Sequence, residues 1–136
     1  MDIRKCTQAD ILQLADFNKQ LIEDEKSTNP MTVPELVRRM EGFLATDYDA
    51  YFFTVDDTIV GYALVKTTCS PLYLRQFFIC REYRRRHYGR AAFDALLACL
   101  GTDLIDLEVL PWNEAGMRFW ESCGFREISR YLRLER

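Results

Sequence analysis

The chain has 136 residues, 49% of them hydrophobic and 29% charged, with a formal net charge of −3. These values predict one folded domain spanning residues 1–136, and they exclude a disordered or fibrous chain. The acidic balance is not that of a nucleic-acid binder, no apolar run is long enough to cross a bilayer, and no apolar stretch follows Met1-Asp2-Ile3-Arg4-Lys5 to make a secretory signal.

Five cysteines (Cys6, Cys69, Cys80, Cys99 and Cys123) are odd in number, scattered and without CxxC or metal-ligand spacing, and His87 is the only histidine. They read as free thiols of a reducing cytoplasm, mostly core filler, and no metal site is expected.

Residues 2–6 predict a short first strand. Thr7-Gln8-Ala9-Asp10 resembles a capping box, and Ile11, Leu14, Ala15, Leu21 and Ile22 keep helical spacing to about Asp24. Ser27-Thr28-Asn29-Pro30 breaks that helix. Thr32, Pro34 and Glu35 open a second, whose buried stripe is Leu36, Val37, Met40, Phe43 and Leu44. Residues 51–55 and 58–66 are strands by composition, joined at Asp56-Asp57 as a hairpin. Gly61 inside the second marks a bulge or a close approach. Ser70-Pro71 separates this hairpin from a third long strand, residues 72–79.

The chain is organised around residues 76–100. Gln76-Phe77-Phe78-Ile79 is a buried strand by composition, and Arg84-Arg85-Arg86-His87-Tyr88-Gly89-Arg90-Ala91-Ala92 turns the chain. Phe93, Leu96, Leu97 and Leu100 then recur at i, i+3, i+4 and i+7, with Gly101 as a C-terminal cap. A strand that passes through a small-residue turn into a helix is a phosphate cradle. The first helical N–H groups have no partner within the helix, the helix dipole is positive there, and arginines add forked donors. The ligand implied is a small di- or triphosphate fragment. The plainer reading of Arg81, Arg84, Arg85, Arg86 and Arg90 is a solvated charged face. No lysine follows the glycine and there is no GxGxxG, so neither a P-loop nor a Rossmann fingerprint is present.

Residues 104–110 predict a further strand, and a strand–helix–strand crossover makes it parallel to residues 72–79. Pro111-Trp112-Asn113 ends it. Asn113 can cap a helix carrying Met117, Trp120 and Glu121, stopped at Gly124. Residues 125–128 and 131–134 predict a closing hairpin. On the 104–110 strand, Asp106 and Glu108 share one face and Ile105, Leu107 and Val109 the other.

Residues 83–97 resemble the coenzyme A-binding motif of the Gcn5-related N-acetyltransferases, Arg/Gln-x-x-Gly-x-Gly/Ala. The preferred register starts at Arg84 and places His87 at the first glycine and Gly89 at the second. A register starting at Arg86 also fits. The element order is similar to that family over essentially the whole chain. The resemblance implies an α/β (α+β) fold: a mixed, mostly antiparallel central sheet of six to seven strands, with a parallel splayed pair and about four helices. It also implies acetyl-CoA as co-substrate, with Phe78, Ile79 and Cys80 presenting backbone to the pantetheine arm. Arg84, Arg85, Arg86, His87, Tyr88, Gly89, Arg90 and Ala91 would meet the pyrophosphate, and a backbone N–H near Ile79 would polarise the thioester carbonyl.

Leu107-Glu108-Val109 with Asn113 and Phe119-Trp120 resembles the ribosomal-protein N-terminal acetyltransferases, which implies Glu108 as the general base. A solvated edge carboxylate is the plainer reading. Gln76 stands where other members carry glutamate, and could hold a water. Trp120 replaces the family's usual tyrosine, the acid that protonates the departing thiolate. The thiolate could then leave unaided, another residue (Tyr88, Tyr73 or Cys123) could substitute, or an acyl-CoA could be bound without turnover. Trp120 could instead pack against the pantetheine arm. Asn113 has a helix-capping role and a cofactor-side role, and the two are compatible. A cysteine nucleophile is not expected, because direct attack by an amine needs no covalent intermediate.

The reading is therefore a cytoplasmic N-acetyltransferase moving an acetyl group to a primary amine of a small molecule or peptide. Its rivals are an acyl-CoA-binding regulatory module without turnover and a nucleic-acid-associated protein. Nucleic acid and membrane are not expected partners, and aromatic strands are compatible with a homodimer. The acceptor amine is unspecified. Glu23-Asp24-Glu25 could attract a cationic amine or be a solvated helix end.

Overall fold

A computed structural model describes residues 1–84 and 86–136. Its sheet runs in the order β1 (Asp2–Lys5), β2 (Tyr48–Val55), β3 (Thr58–Lys66), β4 (Leu72–Ile79), β5 (Ile105–Asp106). The first four strands are antiparallel neighbours, and β5 is parallel to β4. Four α-helices cover the sheet among the described residues: α1 (Ile11–Asp24), α2 (Val33–Ala45), α3 (Tyr88–Leu100) and α4 (Glu114–Ser122).

Local chemistry accounts for the boundaries. Thr7 and Asp10 form the expected capping box, now around a short 3₁₀ turn (Gln8–Asp10) that leads into α1. Thr32 and Glu35 form a second box at α2, with Pro34 in its first turn. Asp56 and Asp57 have φ of 50° and 65°, the double left-handed turn that suits a tight hairpin. Gly101, at φ 65°, ends α3.

The sheet has two buried faces. Phe52, Tyr62, Leu64 and Phe78 pack against Leu14, Phe17 and Leu21 of α1 and Met40 of α2. Phe53, Ala63, Val65 and Leu74 pack against Ala92, Phe93 and Leu96 of α3, with Trp120 of α4 against the same cluster.

Three expectations about the sheet are corrected. Among the described residues it has five strands, not six or seven. Residues 125–128 and 131–134 form no hairpin: Phe125 is anchored against Phe93 and Trp120, but Ile128, Tyr131, Leu132 and Leu134 are exposed. Their apolar spacing is left on the surface, and β5, the last strand in the sheet order, is two residues long. The strand expected over residues 104–110 is likewise reduced to Ile105–Asp106.

The reason lies in β4. Val65 faces Leu74 and Leu64 faces Gln76, so Arg75 is an extra residue with no partner. Such a bulge bends its strand. It falls just after Tyr73, the last β4 residue paired with β5.

Candidate active site

β4 and β5 pair only at Leu72–Ile105 and Tyr73–Asp106, and then part. Beyond the bulge, a cleft opens between β4 and residues 107–108, with α1 along one wall and Trp120 along another. The direction of the β4 backbone groups follows from one contact. Cys80 N–H donates to Val60 O at 2.8 Å, towards β3. By the two-residue alternation of an antiparallel ladder, the Phe78 groups also point to β3, while those of Phe77 and Ile79 point to the open side. Of Phe78, Ile79 and Cys80, it is therefore Ile79 whose main chain is presented to the cleft.

Glu108 lies at this opening, exposed, two residues past β5. The Tyr73 hydroxyl donates to its Oε1 at 3.0 Å. Burial, then the hydrogen bond and charge of Glu108, push the Tyr73 phenol up to about 12, so it remains a proton donor to the carboxylate at neutral pH. Gln76 is buried, and its Oε1 accepts from the Tyr62 hydroxyl at 2.7 Å, leaving its NH₂ as the polar group available to the cleft it lines. Trp120 is held edge-on by Phe77 (5.2 Å between centroids), Phe93 (5.3 Å) and Phe125 (5.4 Å). Its indole is a rigid wall with an N–H donor and no titratable proton near neutral pH.

At the other end of the cleft stands the N-terminus of α3. Its first intrahelical bond runs from Ala91 N–H to His87 O (3.4 Å), so the N–H groups of Tyr88, Gly89 and Arg90 have no carbonyl to reach within the helix. His87 adopts φ 60°, ψ 16°, the left-handed conformation that a glycine at this place in the motif would take. A Cβ at Gly89 would lie 3.2 Å from the Phe119 ring, so this glycine also admits α4. A left-handed non-glycine residue costs about 1–2 kcal/mol, less for histidine than for most. His87→Gly should then keep or modestly raise Tm and leave acetyl-CoA affinity unchanged or tighter. A loss of affinity of about ten-fold (1.4 kcal/mol) in a titration would instead give the imidazole a phosphate contact of its own.

The arginines are not a free charged face. Arg81 donates to Asp24 (2.8 Å) and Arg84 pairs with the same carboxylate. Arg84 Nε also donates to Ile79 O at 2.9 Å. Burial raises the Asp24 carboxyl, but hydrogen bonds from Arg84 and Arg81 outweigh it and hold it below the ordinary carboxylate value. Arg90 reaches Asp94 (3.3 Å) and Ser122 O (3.1 Å), and the Arg86 guanidinium lies 6.0 Å over Tyr83. Arg85 lies outside the described residues.

Asn113 caps α4, its Oδ1 accepting from Gly116 N–H at 3.0 Å. Burial pushes the Cys80 thiol up to about 11 and also raises Cys123, so neither is a ready thiolate. Among the described residues no group of three His, Cys, Asp or Glu is placed to hold a metal, and no helix is long and apolar enough to cross a membrane.

The sequence singled out Tyr73 and Glu108 separately but not their pairing, since the register that joins them depends on the two-residue β4–β5 ladder. Glu25, read as one of three helix-end acids, lines the same cleft as Glu108. The Trp112 indole N–H, donating to Glu25 O at 2.9 Å, ties the end of α1 to the approach to α4.

Residues 15–125 match the acetyltransferase (GNAT) family. The chain belongs to that family. It is 29% identical over 127 residues to an uncharacterized protein of Mycobacterium leprae, a match covering 90% of this chain and 33% of that protein. The chain thus spans about a third of the length of the curated relative it matches.

Three solved structures share its fold. A possible acetyltransferase from Clostridium difficile 630 superposes with a TM-score of 0.81 at 18% identity, over 99% of this chain and 96% of that one. A predicted acetyltransferase from Clostridium acetobutylicum with acetyl-CoA gives 0.76 at 17% identity, over 98% and 95%. An aminoglycoside 6'-N-acetyltransferase from Acinetobacter haemolyticus gives 0.75 at 14% identity, over 100% and 98%.

Proposed function

We propose that the chain is a single acetyltransferase domain that transfers an acetyl group from acetyl-CoA to a primary amine. The observation that carries this reading is the parted β4–β5 ladder, with a hydrogen-bonded carboxylate at one end of the gap and a helix N-terminus at the other.

These residues fit acetyl-CoA. The main-chain groups of Phe77 and the N–H of Ile79 face an open sheet edge and would bind the pantetheine arm as an added strand, with the Ile79 carbonyl already held by Arg84. The N–H groups of residues 88–90, with the small side chain of Gly89, would hold the pyrophosphate. Each helix-end contact contributes about 0.3–1 kcal/mol, so several act together. Arg84 and Arg86 flank this cradle, and Ile79 N–H would stabilise charge on the thioester oxygen. When bound, acetyl-CoA supplies the activated acetyl group.

Glu108, directly or through a water held by Gln76, takes a proton from the acceptor ammonium. The amine then attacks the thioester carbonyl, a C–N bond replaces the C–S bond, and coenzyme A leaves as the thiol. Trp120 supplies no proton to that sulfur and Tyr73 is engaged with Glu108, which leaves water, Tyr88 or Cys123 to protonate the thiolate. A thiol with a pKa near 8.5 is a fair leaving group, and a missing general acid slows the step by about 10²–10⁴-fold without forbidding it.

The test is a thermal-shift titration with acetyl-CoA, coupled to thiol release against a panel of amines. A rise in Tm through linkage together with amine-dependent thiol release is the expected result. A rise in Tm without thiol release would leave an acyl-CoA-binding module, and no rise at all would remove the reading.

A further inference from the structure

We infer that Glu25 is the acceptor-binding carboxylate of this cleft, and that the acceptor is a primary amine bound as its ammonium and carrying no carboxylate of its own. This rests on the transferase reading and names the class of amine it serves.

The geometry starts at the end of α1. Asp24 and Glu25 are consecutive acids with different fates. Asp24 pairs with Arg81 and Arg84, on the side of the α3 cradle. Glu25 ends α1, and Lys26, at φ 52°, turns the chain away behind it. The bond from Trp112 to the Glu25 carbonyl fixes this corner through the backbone, takes no part of the carboxylate, and Glu25 lines the cleft. Glu108 lines the same cleft, and Leu21, Leu74, Leu107 and Trp120 are apolar parts of its wall.

The charges near the cleft are unbalanced. Arg75 borders it, but its guanidinium lies 4.9 Å over the Phe43 ring and donates to Tyr48 Oη at 3.4 Å. Arg39 donates to Asn18 at 3.0 Å and lies over the same Phe43 ring. Gln76 contributes a neutral amide. Glu25 and Glu108 therefore line the cleft with no cation paired to either among the described residues. Burial raises the Glu25 carboxyl, with Asp24 adding to it, the state of a carboxylate that lacks its counter-ion. An ammonium between Glu25 and Glu108 restores the balance, and the apolar walls suit a short alkyl chain. A carboxylate carried by the acceptor would meet repulsion from both residues.

Lysine and 1,5-diaminopentane differ by one carboxylate and form the discriminating pair. Each is titrated calorimetrically into the full chain in the presence of coenzyme A, where no transfer occurs. The diamine should bind, lysine should bind more weakly, and Glu25→Gln should weaken the diamine by about ten-fold or more, the cost of removing one charged hydrogen-bond partner. Glu25→Gln keeps the backbone bond to Trp112 and should retain the wild-type Tm. Glu41→Gln, the same change of charge on the exposed face of α2, should bind the diamine as the wild type does.

Absence of diamine binding, preference for lysine, or equal affinity in Glu25→Gln and the wild type would overturn the assignment. Thiol release is read separately with acetyl-CoA. Intact diamine binding without turnover would sink the transferase reading and leave Glu25 in place. Turnover of other amines with no effect of Glu25→Gln on KM would do the reverse.

Discussion

Glu108→Gln should lower kcat by about 10²–10⁴-fold, the range a positioned general base contributes, with acetyl-CoA affinity unchanged. The substitution keeps shape and polarity and removes only the capacity to take a proton. The phenol of Tyr73, protonated well past neutral pH, donates to Glu108 Oε1 and so leaves the second oxygen to face the acceptor. An amide at position 108 can still accept that hydrogen bond, so the fold and the cosubstrate site are retained. Steady-state kinetics alongside acetyl-CoA titration separate the two quantities. A parallel loss of turnover and affinity would remove Glu108 from the base role and make it a structural carboxylate.

Gly61→Val should be the most damaging single change to stability among the glycines. Gly61 faces Ile79 across the β3–β4 ladder. A Cβ there would run into the Phe78 carbonyl oxygen and lie 3.1 Å from Ile79 Cα, and backbone atoms cannot swing aside as a side chain can. Overpacking of this kind costs about 3 kcal/mol, roughly 10 °C in Tm for a chain of this size. The strand segment displaced carries the Ile79 main chain that borders the cleft, so the acetyl-CoA-induced rise in Tm should shrink as well. Thermal unfolding with and without acetyl-CoA checks both. A variant within about 2 °C of the wild type would mean that the sheet yields at this point at little cost.

Much of this architecture is written locally. The helical stripes of Ile11–Ile22 and Phe93–Leu100, the boxes at Thr7 and Thr32, and the Asp56-Asp57 turn depend on neighbours a few residues away, and all are readable from spacing. The left-handed His87 was legible because the motif puts it where a glycine is usual. What was not legible is non-local. Arg75 carries no residue-type signal for a bulge, because the bulge is a mismatch between the β3 and β4 registers. Without it, residues 104–110 look like a full-length strand, and residues 125–134 look like a hairpin with something to pair against. Glu25 was ambiguous for the same reason: three consecutive acids at a helix end look alike until tertiary contacts send Asp24 towards arginines and Glu25 into the cleft.

The single unpaired residue at Arg75 has a consequence for the protein before any ligand arrives. By bending β4 away it leaves the main-chain groups of Phe77 and the N–H of Ile79 without a strand partner, and such a rim is a template for an extended peptide, including residues 131–134 of another copy. The exposed Tyr131, Leu132 and Leu134 are apolar material of that kind. Thioester supply would then govern colloidal behaviour as well as turnover, since a ligand lying along that rim occupies it against self-association.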